Sequence, residues 1–261
     1  MSAARRRRGR AAERVLPALS VLAFLIAWEL YVDIRHIQPI YLPSPLAVCR
    51  ALLEMVGDGS LIYNLGTTVL RIMTGFVLAA VTGVLTGLLM GVSRLFERIA
   101  DPWIAALYPL PKISLIPLLI IWLGTGEAYK IVISAVTAFF PIVMSTYAGV
   151  RQVDRGLVKA AEDLGANRRQ TQISVVLPAA LPTVFAGLQL GMGVTIILVV
   201  AAEMIGGSDN GGMGSLLVRA GQVLETEKVF AALVVLTVTG AVIIKGQQWL
   251  DRRLAPWANP E

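Results

Sequence analysis

Few residues in the chain invite a chemical reading. Tyr108-Pro109-Leu110-Pro111-Lys112 sets an ammonium beside two prolines, near the middle of an apolar run at 102–123. Proline lacks the N–H donor and breaks the helical hydrogen-bond ladder, so this run cannot be one regular helix. Broken backbone at membrane depth is tolerated where it lines a cavity or is buried in protein, and an ionisable residue there is a functional candidate. Lys112 therefore has two readings. It is a cation for a passing anion such as a sulfonate, nitrate or carboxylate, with Tyr108, Pro109, Pro111 and Ser114 along the same translocation path. Or, the commoner case, the break lies near the inner surface and Lys112 snorkels to lipid headgroups.

Catalytic chemistry finds no support. His36 is the single histidine and Cys49 the single cysteine, and both lie outside the apolar runs. That excludes a His-based triad or an HExxH site in the membrane, a multi-Cys zinc site and an intrachain disulfide. No aspartyl pair occurs in the runs. Gly206, Gly207, Gly211, Gly212 and Gly214 form a glycine-rich stretch without GKS/T, so it reads as a flexible turn and not as a phosphate cradle. No catalytic residue and no metal ligand is expected. Ser114, Thr137 and Gln189 are polar within apolar runs and read first as interhelical hydrogen bonds. Glu203 ends the fifth run, where it either meets an external protein or caps the glycine-rich stretch.

The elements that position these residues follow from composition. Of 261 residues, 56% are apolar and 15% charged, against about 25% charged in a typical soluble domain. Mean hydropathy is +0.71. A soluble globule of this length could not hide so much apolar surface, and a disordered chain would be far more polar. The net charge of +6 sits mainly between and outside the apolar runs, which favours a membrane over nucleic acid.

A spanning helix needs about 20 apolar residues. Six candidates stand out, at 15–32, 72–92, 102–123, 131–150, 177–204 and 229–244. With the N-terminus inside, 16 Lys and Arg fall on the cytoplasmic side and five outside, which places both termini in the cytoplasm. The expected organisation is a basic N-terminus at 1–14, a first transmembrane helix at 15–33, a periplasmic segment at 34–64, a core at 65–250 containing a cytoplasmic loop at 151–177, and a cytoplasmic tail at 251–261. The arginines at 5, 6, 7, 8, 10 and 14 read as a topology anchor on anionic lipid. The apolar run behind them is of full span length without a small-x-small site, so it is retained and not a cleaved signal. Within 34–64, residues 46–56 form a short amphipathic helix with Ser44 as N-cap and Gly57 as stop. Residues 93–101 and 124–130 read as short loops, and 205–228 as a longer outer loop. Ala79, Gly83, Gly87 and Gly91 recur every four residues, as do Gly187 and Gly191. Such stripes let helices approach closely, within one bundle or between subunits.

Residues 151–178 are too polar to span and too long for a turn. Leu157, Ala160, Ala161 and Leu164 share one helical face. Gly165 stops that helix, Asn167 caps another, and Pro178 falls in the first turn of the fifth span. The result is a short helix across the mouth of a bundle, with a face suited to another protein's groove.

Here the sequence resembles the permease subunits of ABC importers. These carry a loop of the form EAA, three residues, Gly, nine residues, an aliphatic residue, one residue, Leu-Pro. This chain reads Lys159-Ala160-Ala161, Gly165, Val175 and Leu177-Pro178 at the same spacing, with Lys159 in place of the Glu. Asp101-Pro102, Tyr108-Pro109-Leu110-Pro111, Ile116-Pro117-Leu118, Trp122-Leu123-Gly124-Thr125-Gly126-Glu127 and Val200-Ala201-Ala202-Glu203-Met204 are similar to the nitrate/sulfonate/taurine-type permeases. The resemblance covers about residues 40–257.

The resemblance implies an all-α integral membrane protein with the six-transmembrane-helix fold of type I ABC importer permeases and a cytoplasmic coupling helix. It implies a place in a bacterial cytoplasmic (inner) membrane. It implies two copies of the chain forming the pore, as a homodimer, and two ABC ATPase subunits that bind ATP and Mg. Lys159, Ala160, Ala161, Glu162, Leu164, Gly165, Leu177 and Pro178 would form the coupling site, and a periplasmic or lipid-anchored solute-binding protein would deliver the substrate. The chain itself, without a Walker A motif, is expected to be a permease and not an enzyme, holding no cofactor. The rival reading is a secondary transporter or channel, whose path would carry more charge in the membrane.

Overall fold

The computed structural model describes residues 3–206 and 211–258, with the side chains of 3–15, 17, 18 and 258 left out of the description. Gly207 and the side chains of the N-terminal arginines thus lie outside the described residues. Every regular element among them is helical, as expected where lipid offers the backbone no hydrogen-bond partners. The helices run α1 (Ala3–Arg35), α2 (Pro45–Gly57), α3 (Ser60–Val92), α4 (Arg94–Leu107), α5 (Ile116–Leu123), α6 (Glu127–Arg151), α7 (Arg155–Asp163), α8 (Arg168–Thr171), α9 (Leu177–Ile205), α10 (Met213–Gln222) and α11 (Thr226–Leu254).

Among the described residues four helical stretches are long and apolar enough to cross a membrane: α3, α6, Arg168–Ile205 and α11. The pair Arg94–Leu107 and Lys112–Leu123 passes the same test only when taken together, as a broken span or a re-entrant loop bent by 87° at the predicted proline break. The first predicted span lies within α1, partly outside the described side chains. Three loop expectations give way to helix. Residues 93–101 hold the start of α4, whose N-cap Ser93 accepts from Phe96 N–H. Lys130, expected in a loop, lies inside α6. Within the expected outer loop at 205–228, residues 213–222 are α10 and not a glycine-rich turn.

The chain forms two compact units, Met1–Ile62 with Leu217–Val235, and Tyr63–Leu216 with Leu236–Glu261. In the first, Ser44 Oγ caps α2 by accepting from Ala47 N–H. Glu29, from the far end of α1, accepts from Leu46 N–H at 3.0 Å, so two acceptors serve the first turn of α2. Asp58 follows the predicted stop at Gly57. The hydroxyl and N–H of Ser60 hold its carboxyl below the usual carboxylate range.

In the second unit α6 is the hub. A Cβ on Gly83, Gly87 or Gly91 of α3 would come within 2.8, 2.6 and 2.5 Å of Ile142, Thr146 and Val150, themselves four residues apart on α6. Gly187 and Gly191 of α9 press equally close on Ser145 and Ile142. Both glycine stripes therefore serve packing within one bundle.

Candidate functional site

The segment at 151–178 is built from local signals. Asp154 accepts from Gly156 N–H at 2.7 Å and starts α7. Its end is a Schellman motif: Gly165 N–H donates to Glu162 O and Ala166 N–H to Ala161 O. Gly165 has φ +89°, the left-handed conformation that a side chain disfavours. Asn167 and Gln170 then form a capping box at 2.8 and 2.9 Å. The helix widens to a π turn at Gln172–Val176 before α9. This follows from Pro178, whose ring would otherwise press on the carbonyl four residues back. Leu177 and Pro178 are partly buried, and Trp257 Nε1 donates to Pro178 O at 3.4 Å.

The predicted face of α7 is left uncovered. Leu157 and Ala160 are exposed, Ala161 is partly so, and Leu164 is 89% exposed at the tip. Lys159 and Glu162 are exposed on the rest of the helix. A leucine this exposed on a capped helix end is a surface that a partner would bury.

At the proline break, Tyr108 ends α4 and Pro111 opens a 3-10 turn at Lys112–Leu115. Lys112 Nζ donates back to Tyr108 O and lies 4.5 Å from the Phe140 ring centroid and 5.3 Å from that of Tyr108. A carbonyl and two ring faces thus hold the ammonium. Pro109 and Ser114 are exposed beside it. Of the other polar residues in the runs, Gln189 makes the expected interhelical bond, to Asp251 Oδ2 at 2.9 Å. Thr137 does not: its hydroxyl bonds back to Ile133 O of its own helix.

A third cluster escaped the sequence reading. Arg71, on α3, is 1% exposed and clamps two carboxylates. Its Nε and Nη2 donate to Glu127 at the start of α6, and its Nη1 donates to Glu203 at 2.6 Å. Glu203 is fully buried and also accepts from Thr68 Oγ1 and Gly214 N–H, each at 2.9 Å. Thr68 Oγ1 accepts in turn from Met213 N–H and Asn64 Oδ1 from Gly212 N–H, both at 2.8 Å. These contacts satisfy the free N–H groups at the start of α10, and a carboxylate there suits the helix dipole. Glu203 therefore caps the glycine-rich segment. Gly212 has φ +110°, and a Cβ on it would come within 2.5 Å of both Arg71 and Glu203. Lys130, also buried, lies 3.8 Å from Glu127 and completes a group of two cations and two anions. The signal was present in outline, as four lone charges at the edges of apolar runs.

Among the described residues no group of three or more His, Cys, Asp or Glu is placed to hold a metal. The sequence model described as "Binding-protein-dependent transport system inner membrane component" matches residues 79–256. The taurine transport system permease protein TauC of Escherichia coli (strain K12) is 35% identical over 94% of this chain and 90% of its own. SsuC of Bacillus subtilis (strain 168), named for aliphatic sulfonates transport, is 33% identical over 98% and 93%. In structure the chain is similar to a chain of the MetNI methionine ABC transporter in an inward-facing conformation. The TM-score is 0.61 at 21% identity, over 78% of this chain and 98% of that one.

Proposed function

This chain belongs to the binding-protein-dependent transport system inner membrane components, and on that premise we propose how its parts divide the work of an importer. It is an ABC importer permease with the type I permease fold, not an enzyme. Two copies form the pathway in the cytoplasmic membrane, with both termini inside. Two partner ATPases bind ATP and Mg, and an external solute-binding protein delivers the substrate. The substrate is a small organic anion of the sulfonate class. The names of the taurine and aliphatic-sulfonate relatives support this class, and Lys112 at the break of a span would be the cation that meets it.

The observation that carries the coupling role is the capped, uncovered tip of α7. Lys159, Ala160, Ala161, Glu162, Leu164 and Gly165 form the surface an ATPase would grip, and Leu177-Pro178 fix the root of the lever on α9. ATP-driven closure of the ATPases would pull on this tip and, through α9, rock the bundle. Without an acidic residue at 159, docking rests on the apolar tip and the small-residue face and not on a salt bridge from that position.

The test is Gly165→Leu. A side chain at φ +89° costs roughly 1–2 kcal/mol and unseats the Schellman end. The variant should stay in the membrane and keep its ATPases, yet hydrolyse ATP without importing solute in proteoliposomes. Normal ATP-driven uptake by this variant would count against the coupling role.

A further inference from the structure

We propose that the cleft between the start of α4 and the end of α6 is a binding site for the phosphate headgroup of an anionic phospholipid. Arg94, Glu97, Arg98, Asp101, Pro102 and Arg151 line a cleft of about 440 Å³. Its place follows from the helices around it. The α3 span ends at Val92 and the α6 span at Arg151, so two spans finish here, at the level where hydrocarbon gives way to headgroups.

The side chains suit that boundary. On α4, Leu95, Ile99 and Trp103 recur every four residues and are all exposed, Trp103 to 69%. This stripe meets acyl chains, with the tryptophan at interfacial depth. Beside it Arg94 and Arg98 are exposed, and no carboxylate lies within 4 Å of either among the described residues. The carboxylates present do not neutralise the site. Glu97 accepts from the Tyr147 hydroxyl and lies 3.8 Å from Arg151, which stacks over the Tyr147 ring at 6.0 Å. Asp101 is exposed at the rim, and the cleft keeps one net positive charge. Planar guanidiniums bind phosphate oxygens in a bidentate fork, and the cleft offers two that are unengaged by carboxylate.

The test compares the wild-type permease–ATPase complex with Arg94→Gln/Arg98→Gln in nanodiscs of phosphatidylcholine that carry phosphatidylglycerol as the minor, anionic lipid. Lipid retained by each complex on transfer to mild detergent is read by mass spectrometry. A basic residue near an anionic surface shifts lipid binding by roughly fivefold, so the double variant should lose preference for phosphatidylglycerol over phosphatidylcholine by roughly thirtyfold. Asp101→Asn leaves the arginines in place and should raise the preference by roughly fivefold. Equal retention by all three complexes would overturn the proposal. So would release of the ATPase from the double variant with its lipid unchanged, which would make the cleft a protein contact.

Discussion

Glu203→Gln isolates the charge of the buried network while keeping its shape. The amide oxygen still accepts from Gly214 N–H, so the start of α10 stays capped. What is lost is the anion that faces Arg71, leaving a guanidinium 1% exposed with only the half-exposed Glu127 as carboxylate partner. Arg71 keeps Glu127 and the Gly211 carbonyl, so the loss is that of one buried hydrogen bond between charged groups, about 1.5–3 kcal/mol. At about 2–4 °C per kcal/mol for a chain of this size, the purified complex should melt roughly 3–12 °C lower. Arg71→Met should cost more, about 3–5 kcal/mol, since the buried Glu203 then loses its ion-pair partner. The double variant Arg71→Met/Glu203→Gln removes both charges of the pair and leaves Glu127 beside Lys130. Its loss should fall short of the sum of the single losses by about 2 kcal/mol or more. The assay is thermal unfolding of the detergent-solubilised complex followed by tryptophan fluorescence. Single variants that melt within about 2 °C of wild type, or a double variant whose loss equals the sum, would refute the view that these charges depend on one another.

Three further substitutions probe other parts of the bundle. Gly87→Ala would bring its Cβ within 2.6 Å of Thr146 and 2.8 Å of the Val143 carbonyl, whereas the same change at Gly193 meets nothing within 4 Å. The first should cost about 1–3 kcal/mol by overpacking and the second should leave the melting temperature nearly unchanged; equal effects would remove the close approach of α3 and α6 as the cause. Lys112→Ala should weaken import of a sulfonate with the complex intact, and unchanged import kinetics would take Lys112 out of the path.

Local and periodic features were legible in the chain. The four-residue spacing of Gly83, Gly87 and Gly91 announced a close helix contact, and the residues it meets, Ile142, Thr146 and Val150, carry the same spacing. Ser44, Gly57, Gly165 and Asn167 marked helix ends by their own chemistry, and the prolines at 109 and 111 marked the 87° break. Long-range polar pairing was not legible. Arg71 lies 56 residues from Glu127 and 132 from Glu203, and hydropathy began the second span at residue 72, beyond the arginine. In the structure α3 starts at Ser60, because one polar face of a helix can be buried against charges of its own bundle. The same pairing explains why a stretch with five glycines is no flexible turn in its described part: its N–H groups are taken by Glu203, Thr68 and Asn64.

The most direct test of the account is affinity purification of this chain from its native membrane in mild detergent, beside a Leu164→Glu variant, with mass spectrometry of what accompanies each. The account predicts a stoichiometric ATPase bearing a Walker A motif with the wild type, and its loss when a charge is placed on the tip of α7. A chain that purifies folded and alone would contradict the driven-importer account, and an ATPase that stays bound to the variant would contradict the role of that tip.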